Sequence, residues 1–181
     1  MPETIIDHLR KDHDKVREMF GRLEQTPKEE RADLFNEILS ELAGHEAAEQ
    51  AIVHPRSREA AHGDQVVDSV IREEQEAEEM MAEMESMDSE GEEFMDKFRS
   101  LRDAVLAHAE HEEDKEFPRL EEVLDEDEMV TMAKQFEQLE SVGPTRAHPN
   151  APNNAVAKGA LAPVAGAFDR ARHAVRTALG G

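Results

Sequence analysis

One pattern occurs twice in this chain and constrains the fold more than any other feature. Each copy has a histidine, a glutamate four residues later and a proline ten residues after the histidine: His45, Glu49 and Pro55, then His108, Glu112 and Pro118. Residues four apart lie on one face of an α-helix, so an imidazole and a carboxylate at this spacing can bind the same ion. The repeat therefore predicts two helices whose ligand pairs form a two-metal centre.

Apolar residues recur at alternating steps of three and four residues in four segments, the pattern of helices that face a bundle core. We expect these helices to end at Thr26 and Pro27, at Pro55, near residues 89–91 and at Pro118. Strand-like alternation is missing. The sequence thus predicts an all-α fold, an up-down-up-down four-helix bundle, with an additional short helix at about 126–140 outside the four and a partly irregular C-terminal tail.

The composition changes after residue 140. Residues 143–154 are rich in proline and asparagine, as in a linker, and residues 164–179 regain a weak helical period with arginines on the other faces. We therefore expect a bundle at residues 1–140 and, at 141–181, a linker with a basic amphipathic segment. That segment has three interpretations: docking on the acidic bundle, a free tail, or contact with a membrane or partner.

The composition also limits the chemistry and the partners. The chain has no cysteine, so disulfides, iron–sulfur clusters and thiolate zinc sites are excluded and any metal must be held by nitrogen and oxygen. It has no tyrosine either, which excludes a stored tyrosyl radical. The formal charge of −22 should repel nucleic acid. No stretch approaches the length of a transmembrane segment, and the early charges argue against a leader, so we expect a cytoplasmic protein.

Six polar side chains fall where the four apolar patterns call for a buried residue: His13, His45, Glu49, Glu74, His108 and Glu112. One such residue could simply be solvated, because helix boundaries inferred from sequence shift by a few residues. Six together argue for metal, since an unpaired buried carboxylate costs several kcal/mol. Two ferric ions with one bridging oxo group would compensate the three carboxylates. We therefore expect two metal ions held by imidazole and carboxylate, a ligand set that suits iron, manganese or zinc; two iron ions in an oxo- or hydroxo-bridged centre are one such arrangement.

Further ligand candidates lie beside these six. Glu78 is one turn after Glu74 and is an alternate for it. Ideal α-helical winding would place His54 opposite His45, but a break at Pro55 could turn it inward, so His54 is an additional candidate ligand. The simplest interpretation of the acidic residues next to the two motifs is solvation: Glu46, Glu113 and Asp114. Glu113 could replace Glu112 if the helix winds differently.

The order of these motifs resembles the hemerythrin-like family, also called HHE cation-binding domains, over about residues 1–140. The resemblance rests on a lone histidine in the first helix, His-x-x-x-Glu in the second and fourth, and an acidic segment in the third; the tail resembles those of actinobacterial members. It implies a di-iron centre held by His13, His45, Glu49, His108 and Glu112, in which the two glutamates bridge the ions.

The third helix departs from the oxygen-carrying members, which place two histidines one turn apart there. This chain has Glu74 and Glu78 at those positions. An anionic oxygen donor stabilises ferric over ferrous iron, so simple reversible oxygen carriage is disfavoured.

The sequence leads to a non-haem di-iron protein that binds or reacts with a small diatomic or peroxide ligand: O2, peroxide or NO. Catalase-like or NO-handling activity would be its enzymatic form. No residue stands out as a separate acid–base catalyst, and His111 and Glu113 are the nearest candidates. The alternative is an iron-, oxygen- or redox-sensing or iron-binding module without turnover, whose protein partner the sequence does not identify. A third interpretation is a zinc-stabilised or metal-free structural bundle.

Overall fold

The computed structural model describes residues 2–142, so the predicted linker and basic segment fall outside the described residues apart from their first positions. Within that range every regular element is helical, which confirms the all-α bundle. The four long helices are α1 (Ile5–Gln25), α2 (Arg31–Ala48), α4 (Gly63–Met84) and α5 (Glu92–His111). Three shorter ones are α3 (His54–Ser57), α6 (Phe117–Val123) and α7 (Glu126–Val142), and a 3₁₀ turn (Lys28–Glu30) precedes α2.

Local sequence explains the ends of the first helix. Thr4 caps α1: its hydroxyl accepts the Asp7 backbone N–H at 3.2 Å, while the Asp7 carboxylate accepts the Thr4 backbone N–H at 3.1 Å. The helix ends at Gln25 because Thr26 turns to extended backbone before Pro27, as predicted. The third long helix, α4, ends at Met84, somewhat earlier than the predicted 89–91.

Both motif helices continue past their prolines, so the predicted ends at Pro55 and Pro118 are wrong. A π-helical turn (Glu49–Val53) joins α2 to α3, and a second one (Glu112–Glu116) joins α5 to α6. In each turn an N–H donates to a carbonyl five residues earlier, from His54 to Glu49 and from Phe117 to Glu112. A proline ring clashes with the carbonyl four residues before it and donates no hydrogen bond; the wider π turn absorbs this conflict without ending the helix.

The apolar core is divided into two clusters with a polar layer between them. Along α1, Ile5 and Leu9 belong to one cluster and Val16 and Phe20 to the other, with His13 in between. The larger cluster contains Phe35, Phe94 and Phe98 from the neighbouring helices. The polar motif residues therefore meet inside the bundle at one level, with apolar side chains on both sides.

The last helix, α7, lies against α1 and α2, outside the four long helices. Its Met132, Ala133 and Phe136 are buried in the cluster that also contains Ile5 and Leu9. Among the described residues, none of the helices has the length and apolar character needed to cross a membrane.

Candidate metal centre

The structure brings the six predicted ligands together from four helical segments. His13, His45, Glu49, Glu74 and Glu112 are each at most 6% exposed, and the side chain of His108 is 11% exposed. Their ligand atoms form two groups, each with all atoms within 4.8 Å: His13, His45 and Glu49, then Glu49, Glu74, His108 and Glu112. Because Glu49 belongs to both groups, the arrangement suits two ions that share a carboxylate.

The repeated four-residue spacing has its expected geometric effect. Nε2 of His45 lies 3.2 Å from Glu49 Oε1, and Nε2 of His108 lies 3.5 Å from Glu112 Oε2. The Glu112 carboxylate also reaches across the bundle to Nε2 of His13, at 3.3 Å. Glu112 thus connects α1 with α5, as a bridging ligand would.

Carboxylates also stand behind two of these imidazoles. Nδ1 of His13 lies 3.0 Å from Glu113 Oε1, and Nδ1 of His108 lies 3.3 Å from Glu73 Oε2. When Nδ1–H donates to a carboxylate, Nε2 carries the lone pair that binds a metal. Glu113, one of the two weak acid–base candidates, therefore contacts a ligand histidine and also accepts a hydrogen bond from Arg17 at 3.1 Å.

His54 lies in the same layer, because the π turn redirects it. In a π turn, residues five apart lie on the same side of the helix. His54 therefore lies on the same side as Glu49, which faces the centre of the bundle. Its ring is 2% exposed, with Nε2 2.7 Å from Glu74 Oε1 and Nδ1 2.8 Å from Glu116 Oε1. A third group with all ligand atoms within 4.8 Å consists of His54, Glu112 and Glu116.

Several polar residues of this layer were missed or misjudged from the sequence. Glu116 is 0% exposed and was overlooked, although it extends the four-residue spacing of His108 and Glu112 by one more turn. Gln50, also buried, donates its amide to Glu74. Glu46 was expected to be solvated and is buried instead. Glu78, the predicted alternate for Glu74, is buried as well.

Burial and neighbouring charges shift the pKa values of these groups strongly. Burial would lower the pKa of His45, but the charge of Glu49 and the nearby carboxylates of Asp12 and Glu140 outweigh it and raise that pKa well above its usual value. For Glu49, burial acts to raise the pKa, yet the attraction of His45 lowers it to about 2. Burial and repulsion from Glu49 raise the pKa of Glu112. Glu49 and Glu112 therefore compete for the positive charge of the neighbouring histidines.

The buried donor atoms fit a metal ion. Neither oxygen of Glu49 or of Glu112 makes a hydrogen bond within residues 2–142, and neither does Nε2 of His13 or His45. Such unsatisfied buried carboxylates are costly unless a cation lies between them. A mixed set of imidazole nitrogens and carboxylate oxygens suits iron, manganese or zinc.

A small cavity of about 20 Å³ adjoins this layer. Three imidazoles line it, those of His13, His45 and His108, together with apolar side chains that include Leu42 and Val105. That volume holds about one small molecule. A diatomic ligand would therefore fit beside the metal ligands in apolar surroundings.

Comparison with known proteins identifies the class. A sequence model described as the hemerythrin HHE cation-binding domain matches residues 4–120, which contain all six predicted ligands. The chain belongs to this family, and its site is thus that of a cation-binding helical bundle.

Individual relatives are more distant. An uncharacterized hemerythrin-like protein of Schizosaccharomyces pombe is 29% identical over 152 residues, covering 82% of this chain and 75% of that protein. A crystal structure of a hemerythrin HHE cation-binding domain-containing protein of Mycobacterium kansasii has a TM-score of 0.67 and 21% identity, covering 77% of this chain and 88% of that one; it supports the fold. A protein named DNA nickase from Nostoc is 27% identical over 139 residues, but the match covers 76% of this chain and only 39% of that protein.

Proposed function

We propose that this chain is a non-haem di-iron protein that binds or reacts with a small oxidant, namely O2, peroxide or NO. The main support for this proposal is the pair of ligand groups that share Glu49 and lie beside a cavity of about 20 Å³. Neighbouring ions bound to a shared carboxylate are suited to two-electron chemistry. The apolar wall of the cavity favours a small uncharged ligand over a bulky or charged substrate.

The proposed ligands of the first ion are His13, His45 and Glu49. Those of the second are Glu49, Glu74, His108 and Glu112, with Glu49 and Glu112 bridging. His54 is an additional ligand candidate, because it shares a group with Glu112 and lies against Glu74.

Bound iron would supply the redox change and an open position for the oxidant. The residues of the chain have other tasks. Glu113 and Glu73 fix the rings of His13 and His108 so that Nε2 faces the centre. Carboxylates dominate the second ligand group, which favours ferric iron. Leu42 and Val105 contribute apolar surface to the cavity.

An iron- or redox-sensing module without turnover is the second candidate. The contact between His45 and α7 favours this function: Glu140 of α7 lies 3.8 Å from Nδ1 of His45. Glu140 is close to the end of α7, which leads into the C-terminal region after residue 142. A change in the charge or position of His45 would therefore alter a contact of this helix.

Metal analysis and spectroscopy test the proposal. We expect about two irons per chain after anaerobic ferrous loading, and visible absorption that bleaches with dithionite and returns with peroxide. Oxygen release from peroxide would select the enzyme; reversible spectral change without turnover would select the sensor. A Glu49→Gln variant, matched in size, should lose the paired spectrum. Zinc or no metal, with a featureless spectrum after ferrous loading, would contradict the proposal.

A further inference from the structure

A second cluster of ligand atoms lies between α1 and α7. It consists of His8 and Asp12 of α1 and Glu140 of α7, and its ligand atoms are all within 4.8 Å of one another. Nε2 of His8 lies 3.4 Å from Asp12 Oδ2 and 3.8 Å from Glu140 Oε2. The three side chains are between 13% and 21% exposed, although Nε2 of His8 and Oδ2 of Asp12 are themselves buried.

We propose that these three residues form a further divalent-cation site, which we call the seam site. Its donor set of one imidazole and two carboxylates suits Zn²⁺, Mn²⁺ or Fe²⁺. This proposal does not rest on the di-iron function. Glu140 also lies beyond the residues matched by the family model, which end at 120, so the site depends on a helix outside that match.

The spacing of the donor atoms fits coordination better than direct hydrogen bonding. Nitrogen–oxygen hydrogen bonds are usually 2.7–3.2 Å long. The separations here are 3.4 and 3.8 Å, close to the edge of about 3.4 Å expected for a tetrahedron whose metal–ligand bonds are about 2.1 Å. A cation at the centre would contact all three side chains with only small adjustments.

The ring of His8 is oriented as a metal ligand would be. Its Nδ1 lies 3.4 Å from Glu3 Oε1, and Lys11 in turn donates to the same Glu3 oxygen at 2.9 Å. Phe136 packs edge-on against His8 with ring centroids 5.5 Å apart. Because Nδ1 lies on the side of Glu3, Nε2 is directed at Asp12 and Glu140.

A buried group aimed at the cluster gives independent support. His45 is 6% exposed, and its Nδ1 points to Asp12 at 3.6 Å and to Glu140 at 3.8 Å without a hydrogen bond in the described part of the chain. In contrast, Nδ1 of His13, His54 and His108 has a carboxylate oxygen at 3.0, 2.8 and 3.3 Å. His45 is thus a buried side chain whose Nδ1 faces both carboxylates of the cluster.

The charges at the cluster also favour a cation. Asp12 and Glu140 bring two carboxylates to the cluster, against the single imidazole of His8. The nearby Lys15 is engaged in an ion pair with Glu41.

Zinc binding tests the seam site. Full-length protein would be dialysed to equilibrium against Zn²⁺ and the bound metal counted by mass spectrometry. We expect Glu140→Gln and His8→Ala each to lose one Zn²⁺ per chain relative to the wild type, with unchanged circular dichroism. The control is Glu137→Gln, the same substitution at an exposed position of α7, which should bind as much Zn²⁺ as the wild type.

A second set of variants separates this proposal from the di-iron centre. In a His13→Ala, His54→Ala, His108→Ala triple variant, which alters all three inner ligand groups, one Zn²⁺ should remain and should disappear when Glu140→Gln is added. Anomalous scattering from Zn²⁺-soaked crystals should then show a peak about 2.0–2.2 Å from Nε2 of His8. Equal Zn²⁺ in wild type, Glu140→Gln and His8→Ala, or no peak beside His8, would overturn the proposal even if the inner centre binds metal.

Discussion

Each of the four histidines of the buried layer, His13, His45, His54 and His108, has a carboxylate oxygen within 3.6 Å of both ring nitrogens. His13, for example, has Glu112 at Nε2 and Glu113 at Nδ1. A carboxylate at Nδ1 fixes the ring and increases the basicity of Nε2, which strengthens metal binding. At the residue scale the layer therefore consists of oriented imidazoles and of carboxylates that depend on a positive charge.

Removing either motif histidine should cost one metal ion. We expect His45→Ala and His108→Ala each to bind one iron fewer per chain, and the metal-free variants to unfold with a free energy lower by about 3 kcal/mol, because a buried carboxylate loses its partner. Metal analysis and urea unfolding would measure both effects. His62→Asn is the control: His62 is exposed, and asparagine tolerates its positive φ of 61°. Full iron binding in both variants would reject the ligand assignment.

The metal-free protein should be most stable between about pH 5 and 6.5. Although burial opposes it, the Glu112 charge raises the pKa of His108 to about 10, so this contribution is complete below the ordinary value of 6.5 and is lost as the pH rises through 10. The pKa of Glu49 is lowered to about 2, so its contribution is complete above 4.5 and is lost as the pH falls toward 2.

Urea unfolding of chelator-treated protein at pH 3, 6 and 9 would measure this profile. His108→Gln should reduce the loss of stability between pH 6 and 9 and leave the acid side nearly unchanged. Equal stability at pH 6 and pH 9 in the wild type would contradict the assigned charge pairing.

The sequence predicted those site residues that interrupt an apolar pattern. His13 and Glu74 stand out because an apolar residue lies four positions before and three positions after each of them. Glu116 does not, since three acidic residues precede it within four positions and only the packing shows that it is buried. A pattern in one chain segment cannot show which acidic residue faces a neighbouring helix.

At the scale of elements, the π turns decide which side chains reach the centre. Both prolines correctly marked a break in α-helical winding, but a proline alone does not distinguish the end of a helix from a turn widened by one residue. The existence of the four long helices and of α7 followed from periodicity. The inward position of His54 did not, because it depends on that one inserted residue.

Replacing the first proline should test the π turn. Pro55→Ala restores an N–H donor and lets the turn relax toward an α-helix, which would rotate His54 away from Glu74 by about 100°. If His54 supports the second ion, its affinity should fall about tenfold, as measured by competition with a chelator. Pro27→Ala, in the connection between α1 and the 3₁₀ turn, is the control. A crystal structure in which the Pro55→Ala variant keeps the His54 to Glu74 contact would refute this account.

The whole molecule combines a formal charge of −22 with a buried set of glutamates: Glu46, Glu49, Glu74, Glu78, Glu112 and Glu116. Carboxylates outside the core repel one another, and those inside lose hydration, so both raise the free energy of the metal-free fold. Metal binding should therefore be coupled to the stability of the entire bundle and not only to local order.

Metal addition should raise the melting temperature substantially. A ligand at one hundred times its dissociation constant stabilises a fold by about 2.7 kcal/mol per site, which for a domain of this size corresponds to a shift on the order of 10 °C. Differential scanning calorimetry with Fe²⁺ under anaerobic conditions would measure it. Mg²⁺ at equal concentration, which binds imidazole poorly, should give a much smaller shift. Similar shifts with both ions would indicate general charge screening in place of a specific centre.

The two π turns follow the same motif, and His108 stands 63 residues after His45. The bundle thus contains two helical hairpins in which the same motif is followed by the same π turn. The two hairpins differ at the residue that follows the turn. That position holds His54 beside Glu74 in the first hairpin, while the matching Phe117 of the second stacks on His13 with ring centroids 5.9 Å apart. The two metal positions of the proposed centre would therefore be chemically unequal, one beside an additional imidazole and the other beside hydrocarbon.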